Sequence, residues 1–448
     1  MILLHIVFLL AITFFALKVS NNYLKPSFLL LFGYLISAVC CLYNVTLWEV
    51  SLHLITLVII YAGLISFVMG NWFGERVRLR RITAHGANRE KEEGISFSEY
   101  ISSREMNSAL LFVLAMMCIG VTILLYREIV RIANLNFVSW GNLIYNFRMN
   151  KKSEGEAGQF SSIVNYGLRI TLPVSYVCAT KLICDIQARN KARRGKRLLL
   201  LIPPICYVVQ CTLRGLRIPT IGFILGVIYI YIFAKQNATQ RNFKVSPKIL
   251  LRIMLGVVLI CVVFYNAKFV IGKLQDDIGV VGYVTNYLGG SLQLLDMYTQ
   301  NPPVDNNIET FAALINSLHK FGLLKNLSTT VAHEYRSSAS GVYIGNIYTG
   351  FRLYHHDFGF AGVVFFSFLL GCIFSSWYKA IKSIRTWNSS KVFWVLLYAS
   401  FIYMIFFHFF TDYFYTLLGV GKIFDIIVFY FVVRLMLSLR RDFTLSKR

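Results

Sequence analysis

The residues best suited to chemistry lie between His333 and Gly362, in the stretch HEYRSSASGVYIGNIYTGFRLYHHDFGFAG. The stretch combines candidate bases, arginines and tyrosines: His333, His355, His356, Glu334, Asp357, Arg336, Arg352, Tyr335, Tyr343, Tyr348 and Tyr354. An imidazole or a carboxylate can deprotonate an attacking hydroxyl. An arginine can hold a phosphate through paired hydrogen bonds, and a tyrosine offers a flat apolar face and a hydroxyl that suit a sugar ring.

A second candidate is an arginine pair between two apolar runs, in the segment CTLRGLRIPTIG. Arg214 and Arg217 are three residues apart, a spacing that predicts one shared side of a helical turn. One interpretation is that both side chains snorkel to lipid headgroups. We favour an anionic ligand, most simply phosphate, because arginine is disfavoured on the outer side of a membrane and its planar fork binds phosphate well.

The elements that must position these residues are membrane helices. The chain has 448 residues, of which 56% are hydrophobic and 15% charged, and its mean hydropathy is +0.60. Its apolar runs are continuous and about 18 to 22 residues long, as a helix needs to cross the hydrocarbon core. Only helices and closed barrels satisfy the backbone there, and the runs do not alternate in polarity. The sequence therefore predicts an all-α polytopic membrane protein.

The net charge of +24 indicates topology rather than nucleic-acid binding. Basic residues concentrate in alternate gaps between the apolar runs, the pattern expected when basic loops stay cytoplasmic. The basic segments are Lys18–Lys25, Arg76–Arg104, Arg189–Arg197, Lys235–Arg252, Lys379–Lys391 and Arg434–Arg448. With these segments inside, the N-terminus is predicted to lie outside and the C-terminus inside.

We expect residues 1–448 to form a single integral membrane domain of about 11 transmembrane helices, within a range of 10 to 12. The predicted spans are about 2–17, 26–43, 51–70, 107–126, 166–184, 198–213, 218–234, 250–267, 359–378, 392–411 and 414–434. The arginine pair and the stretch from His333 then both face outward.

The longest gap, residues 268–357, is predicted to be a large outward loop with short helices that belongs to the same domain. Asn306 is a plausible N-cap for a helix from Asn306 to Phe321, with Glu309 as the acidic residue three positions later. A second, partly apolar piece runs from Tyr283 to Asp296, where Gly289 and Gly290 are expected to allow a bend.

Several other patterns carry little weight. The nine cysteines lie within or at the ends of apolar runs without metal-ligand spacing, so they predict neither disulfides nor a zinc site. Asp276 and Asp277 are adjacent and would point in different directions, so we predict no metal. The DFG at Asp357 lacks the other motifs of a kinase. No cofactor and no nucleic-acid partner are expected.

Taken together, the candidates predict glycosyl transfer from a lipid pyrophosphate donor. Arg214 and Arg217 would hold the pyrophosphate and stabilise the leaving group. His333 or Asp357 would act as general base. The remaining candidates would bind the substrate: Arg336, Arg352, Asn346, Tyr348 and His356. The arginine pair and the stretch from His333 would be the two halves of one site.

The segments RGLRIPTIG, YLGGS and GNIYTGFRLYHHDFGFAG resemble those of the Wzy-type repeat-unit polymerases of bacterial O-antigens and capsules. The resemblance implies a bacterial inner-membrane protein with a membrane glycosyltransferase (GT-C-like) fold and one large late periplasmic loop. Such an enzyme transfers a growing glycan from undecaprenyl pyrophosphate onto a lipid-linked repeat unit without nucleotide sugar. The partners implied are that lipid-linked oligosaccharide, membrane lipid and a chain-length regulator protein. The arginine-ten-glycine motif of some members is absent from Arg214, since position 225 is Leu225.

Two alternatives remain open at this point. A flippase for lipid-linked oligosaccharide would also need cationic contacts for pyrophosphate, but such a carrier usually contains two related halves with a binding site near the bilayer midplane. We find no internal repeat. The second alternative is the related O-antigen ligase, which transfers a finished glycan to a lipid core or a protein, and which the sequence separates poorly from a polymerase.

Overall fold

The computed structural model describes residues 1–20, 22–76, 95–133, 140–153, 159–190, 194–239, 280–304, 307–324, 326–329 and 333–438. The predicted span at 250–267, Asn306 and the pair Asp276 and Asp277 lie outside the described residues. The chain divides into two compact units. The first contains Met1–His85, Ile278–Ser383 and Ile402–Phe424, and the second contains Gly86–Asp277, Ile384–Phe401 and Asp425–Arg448.

Helices make up nearly all of the regular structure that is described. The first part of the chain contains α1 (Ile2–Ser20), α2 (Pro26–Tyr43), α3 (Val45–Trp48), α4 (Leu54–Arg76), α5 (Phe97–Ser103), α6 (Ser108–Ala133), α7 (Trp140–Ser153), α8 (Ser162–Gln187), α9 (Arg194–Leu213) and α10 (Arg217–Thr239). The rest contains α11 (Val280–Gln300), α12 (Ala312–Lys320), α13 (Gly350–Lys382), α14 (Ser389–Phe406), a 3-10 turn (Phe407–Phe409) and α15 (Val420–Ser438).

Eight helices among the described residues are long and apolar enough to cross a membrane, as expected for a polytopic α-helical membrane protein. They correspond to eight of the eleven predicted spans: α2, α4, α6, α8, α9, α10, α13 and α14 with the turn that follows it. The predicted first span appears as a shorter apolar helix, Ile2–Lys18. The predicted last span contains α15, which begins at Val420 rather than near residue 414.

Helices α4 and α13 pack backbone to backbone in the first unit because glycines line their contact. A Cβ at Gly70 would lie 2.0 Å from the carbonyl oxygen of Phe368, and one at Gly371 would lie 2.3 Å from that of Phe67. Small residues give membrane helices this close approach, which van der Waals contact then stabilises. Near the start of α13, the Phe351 ring packs on Gly63 of α4, where a Cβ would lie 2.3 Å from the ring.

Helix α11 is continuous from Val280 to Gln300, so the bend predicted at Gly289 and Gly290 is wrong. Gly289 instead lets α11 approach α2, since a Cβ there would lie 2.5 Å from the backbone nitrogen of Cys41. The end of α11 is fixed to the start of α4 by Asp296. Its carboxylate accepts hydrogen bonds from the His53 backbone N–H at 2.7 Å and from the Thr56 hydroxyl at 2.6 Å.

The described residues between α11 and α13 form a helix and a strand pair, which differ in detail from the prediction. The helix expected from Asn306 to Phe321 begins at Ala312, so Glu309 precedes it and has no capping role. A small antiparallel hairpin of β1 (Arg336–Ser337) and β2 (Tyr343–Gly345) adds a strand pair that the all-α prediction did not include. Two-residue and three-residue strands carry too little pattern to be recognised in the sequence.

Helix α13 is interrupted at Gly359, whose φ of 61° and ψ of −157° are not helical. This backbone conformation is open to glycine and strongly unfavourable for other residues. The interruption separates a short helical segment, Gly350 to Phe358, from the apolar helix that follows. The short segment carries Arg352, His356 and Asp357. The break at Gly359 therefore separates the polar part of α13 from its apolar part.

Candidate functional site

Arg352 is the centre of a charged cluster in the first unit. Its side chain is 1% exposed, and its Nη2 donates hydrogen bonds to Glu309 Oε1 at 3.0 Å and Glu334 Oε2 at 2.7 Å. Both carboxylates come from the segment that precedes α13 in the chain. A buried guanidinium is stable when carboxylates neutralise it at hydrogen-bond distance. Arg352 therefore ties two separate parts of that segment to α13.

Two tyrosines cover the Arg352 guanidinium. Its central carbon lies 3.9 Å from the ring centroid of Tyr348 and 5.0 Å from that of Tyr298, both within the range of a cation–π interaction. Both tyrosines are buried, and the Tyr348 hydroxyl donates to Glu334 Oε1 at 2.9 Å. Burial raises the pKa of Tyr348, so its hydroxyl keeps the proton that it donates.

Glu334 joins the two arginines of the cluster. Its Oε1 accepts from Arg336 Nη2 at 2.9 Å, while its Oε2 accepts from Arg352. Burial alone would raise the pKa of Glu334, but the Arg352 charge and the hydrogen bonds to the carboxylate outweigh it and lower the pKa to about 2. Glu334 is therefore ionised at neutral pH.

Arg336 donates hydrogen bonds to backbone carbonyls as well as to Glu334. Its Nη1 donates to the carbonyl oxygen of Met297, and its Nη2 donates to that of Asn301 at 2.6 Å. These carbonyls lie at the C-terminal end of α11, where a cation interacts favourably with the helix dipole. The contacts assign Arg336 to the end of α11, which leaves fewer of its donors for a substrate than the sequence suggested.

Glu309 holds His333 in place. Its Oε1 lies 3.2 Å from His333 Nδ1 and also accepts from Arg352. The Glu309 side chain is 1% exposed, whereas that of His333 is 19% exposed. Burial raises the pKa of Glu309, but the hydrogen bond and charge of His333 and the Arg352 charge together hold it below its ordinary value. The imidazole is thus the part-exposed end of a chain of contacts that runs from Arg352 through a buried carboxylate.

Asp357 accepts backbone hydrogen bonds. Its Oδ2 lies 2.7 Å from the Thr310 nitrogen, and its Oδ1 lies 3.1 Å from the Glu309 nitrogen. His356 contacts the same segment in the opposite sense, since its Nε2 lies 3.2 Å from the carbonyl oxygen of Asn307, which can only accept. Both residues fix residues 307–310 against α13, and this orients Glu309 toward the cluster.

Three further contacts complete the surroundings. The Asn346 side-chain amide donates to the backbone oxygen of His333 at 3.4 Å. His355 Nδ1 lies 3.2 Å from the Tyr298 hydroxyl. On another side of α13, the Tyr354 hydroxyl lies 3.2 Å from His408 Nε2, and the Tyr34 hydroxyl lies 3.0 Å from His408 Nδ1. The short helical segment before Gly359 is therefore braced on several sides.

The cluster retains hydrogen-bonding capacity. Among the described residues, Arg352 Nε, Arg352 Nη1 and Glu309 Oε2 are buried without a hydrogen-bond partner. Unpaired polar atoms in a charged, buried network cost free energy.

The structure brings together several residues that the sequence singled out: His333, Arg336, Asn346, Tyr348, Arg352, His356 and Asp357. It adds Glu309 and Tyr298, which the sequence did not suggest for the site. Tyr298 lies on α11, far from the polar stretch in sequence. Glu309 showed one signal, an acidic residue in a mostly apolar segment, but its position after Asn306 suggested a helix cap.

Arg214 and Arg217 belong to the second unit and flank a turn instead of sharing a helical face, which corrects the prediction. Helix α9 ends at Leu213 and α10 begins at Arg217. Gly215 has a φ of +67° and donates to the Thr212 carbonyl at 2.9 Å, while Leu216 donates to that of Cys211 at 2.9 Å. This is a Schellman cap, in which glycine takes the left-handed position that ends the helix.

Burial lowers the pKa of the Arg214 guanidinium. Burial also lowers the pKa of the Lys151 amine, and the nearby Arg214 charge lowers it further. Lys151 Nζ lies 4.3 Å from the ring centroid of Phe160, which shares a hydrophobic cluster with Leu213. Two cations close together and partly desolvated favour a nearby anion.

Among the described residues, no group of three histidine, cysteine, aspartate or glutamate residues is placed to hold a metal ion. Comparisons of the chain with protein-family models, with curated proteins and with solved structures find no match.

Proposed function

We propose that this protein is a membrane glycosyltransferase that polymerises a surface polysaccharide, O-antigen or capsule, from lipid-linked repeat units. The observation that carries the proposal is the part-exposed imidazole of His333, held by buried Glu309, which Arg352 holds in turn. An imidazole fixed by a carboxylate is the arrangement that a general base needs to act on a hydroxyl. Tyrosines beside it suit a sugar ring.

In the proposed reaction, His333 takes the proton from a hydroxyl of the lipid-linked repeat unit. The hydroxyl oxygen forms a bond to the anomeric carbon of the growing glycan, and the bond from that carbon to the undecaprenyl pyrophosphate oxygen breaks. The pyrophosphate leaves with the electron pair. The structure favours His333 over Asp357 as the base because Asp357 accepts two backbone N–H groups of residues 309 and 310.

Arg214 and Lys151, two cations of the second unit, suit the lipid pyrophosphate donor. Arg214 follows a helix end and has Lys151 nearby, so an anion there would relieve the repulsion between the two charges. Pyrophosphate is such an anion, and arginine can stabilise the charge that develops on it as it leaves. The basic loops would lie in the cytoplasm of a bacterium, and the charged cluster with His333 would face the periplasm.

Replacing Arg214 by alanine tests this proposal in the producing cells. We expect the surface glycan to lose its long chains and to retain single repeat units, because the pyrophosphate would no longer be held for elongation. The measurement is the ladder of glycan chain lengths, at equal amounts of protein in the membrane. Arg131, an exposed arginine at the end of α6, provides a matched control, and Arg131→Ala should leave the ladder unchanged.

The same assay separates the alternatives. An unaltered ladder for Arg214→Ala at normal protein level would contradict the pyrophosphate role. Deletion of the whole protein should leave one repeat unit on the final acceptor. A complete loss of glycan from that acceptor would instead indicate a ligase, and accumulation of lipid-linked repeat units on the cytoplasmic side would indicate a flippase.

A further inference from the structure

We infer that Glu309 is a positioning residue, which acts through His333 and fixes the tautomer and orientation of its imidazole. The inference rests on the proposed function and adds to it a residue that acts through the proposed base. Glu309 has two hydrogen-bond partners, Arg352 at 3.0 Å and His333 at 3.2 Å, both on the same oxygen. Its two possible roles are therefore to neutralise Arg352 and to hold His333.

The geometry identifies which nitrogen of the imidazole serves the reaction. Nδ1 lies 3.2 Å from Glu309 Oε1, so with an ionised Glu309 this nitrogen carries the hydrogen and donates it. Nε2 is then left with its lone pair and can accept the proton of the attacking hydroxyl. The positive charge that forms on the imidazole during the transfer lies beside the Glu309 carboxylate, which stabilises it.

The surroundings of Glu309 fix its carboxylate before any substrate binds. Arg352 holds one oxygen, and Asp357 holds the backbone nitrogens of Glu309 and Thr310. The Tyr348 ring lies edge-on to the His333 ring at a centroid distance of 5.7 Å and limits its rotation. A base held in this way needs no reorganisation at the moment of reaction.

Glu334 provides a matched control because it shares one role of Glu309 and lacks the other. Its carboxylate also pairs with Arg352, at 2.7 Å. Its described side-chain contacts are with Arg352, Arg336 and Tyr348. Glu334→Gln should therefore reproduce the loss of charge beside Arg352, whereas Glu309→Gln should in addition release the imidazole.

A double-mutant cycle tests the inference. The initial rate of chain elongation would be measured for purified wild type, Glu309→Gln, Glu334→Gln and His333→Ala, and for each glutamine variant combined with His333→Ala. Donor and acceptor concentrations would be varied up to saturation, so that kcat and KM are both obtained. We expect Glu309→Gln to lower kcat about 10-fold to 100-fold with little change in KM. In the His333→Ala background it should have little further effect, because a residue that acts through His333 has nothing left to act on. The effect of Glu334→Gln should be similar in both backgrounds.

Two results with Glu309→Gln would overturn the inference. One is a Glu309→Gln variant that elongates at the wild-type rate. The other is a loss caused by Glu309→Gln that is equally large with and without His333, since that would assign Glu309 to Arg352 alone. A wild-type rate for His333→Ala would overturn the assignment of the base and the positioning role with it. Absence of elongation by the wild type would overturn the proposed function itself, so the failures are distinguishable.

Discussion

Replacement of Arg352 by alanine is expected to destabilise the first unit by about 3–5 kcal/mol, the cost of leaving a buried ion pair without one partner. Glu309 and Glu334 both depend on the Arg352 guanidinium, and Glu309 is 2% exposed. Without Arg352, the buried Glu309 carboxylate loses the guanidinium that neutralises it at 3.0 Å. We expect a lower thermal unfolding midpoint of the purified protein in detergent.

Two companion variants identify the cause. Arg352→Lys keeps the charge, but a single ammonium cannot reproduce the planar guanidinium that lies over Tyr348, so it should recover only part of the stability. Adding Glu309→Gln to Arg352→Ala should recover another part, because it removes the buried charge. An Arg352→Ala protein with the thermal stability of the wild type would contradict the role of Arg352 as the centre of the cluster.

Replacement of His333 by alanine is expected to lower the rate of chain elongation by about 100-fold to 10,000-fold, the usual contribution of a general base. The protein should fold normally, because the His333 side chain is partly exposed and its side-chain hydrogen bond is to Glu309. The measurement is the elongation rate of purified protein with lipid-linked substrates, compared at equal thermal stability.

His319 provides the matched control for this second prediction. It lies in the same unit, at the end of α12, and its Nε2 contacts the backbone oxygen of Leu324. His319→Ala should elongate at the wild-type rate, because this imidazole is outside the charged cluster. Equal rates for His333→Ala and the wild type would exclude His333 as the base.

The membrane helices could be predicted from the sequence because their signal is local. Each span is a continuous apolar run about as long as the hydrocarbon core is thick, and eight of the predicted runs coincide with helices long enough to cross it. The stretch rich in bases and arginines was also recognisable, because polar residues are conspicuous beside apolar helices. Most of its candidates do meet in one cluster.

The contacts within the cluster could not be predicted in this way, because they join residues that are far apart in the chain. Arg352 pairs with Glu309 across 43 positions, and Arg336 donates to Met297 across 39. At Glu309 the local pattern gave a wrong prediction. Its position three residues after Asn306 suggested a helix cap, but the helix begins at Ala312. At Arg214 and Arg217 the spacing suggested a helical face, but Gly215 took a left-handed conformation and ended the helix between them.

The most direct test of the account is elongation by the purified protein in lipid vesicles. The vesicles would contain undecaprenyl-pyrophosphate-linked repeat units and no nucleotide sugar or other protein, with the substrate already on the side that the His333 cluster faces. We predict glycan chains of two and more repeat units, and release of undecaprenyl pyrophosphate in proportion to the bonds formed. Vesicles in which wild-type protein of normal stability leaves the repeat units single would contradict the account.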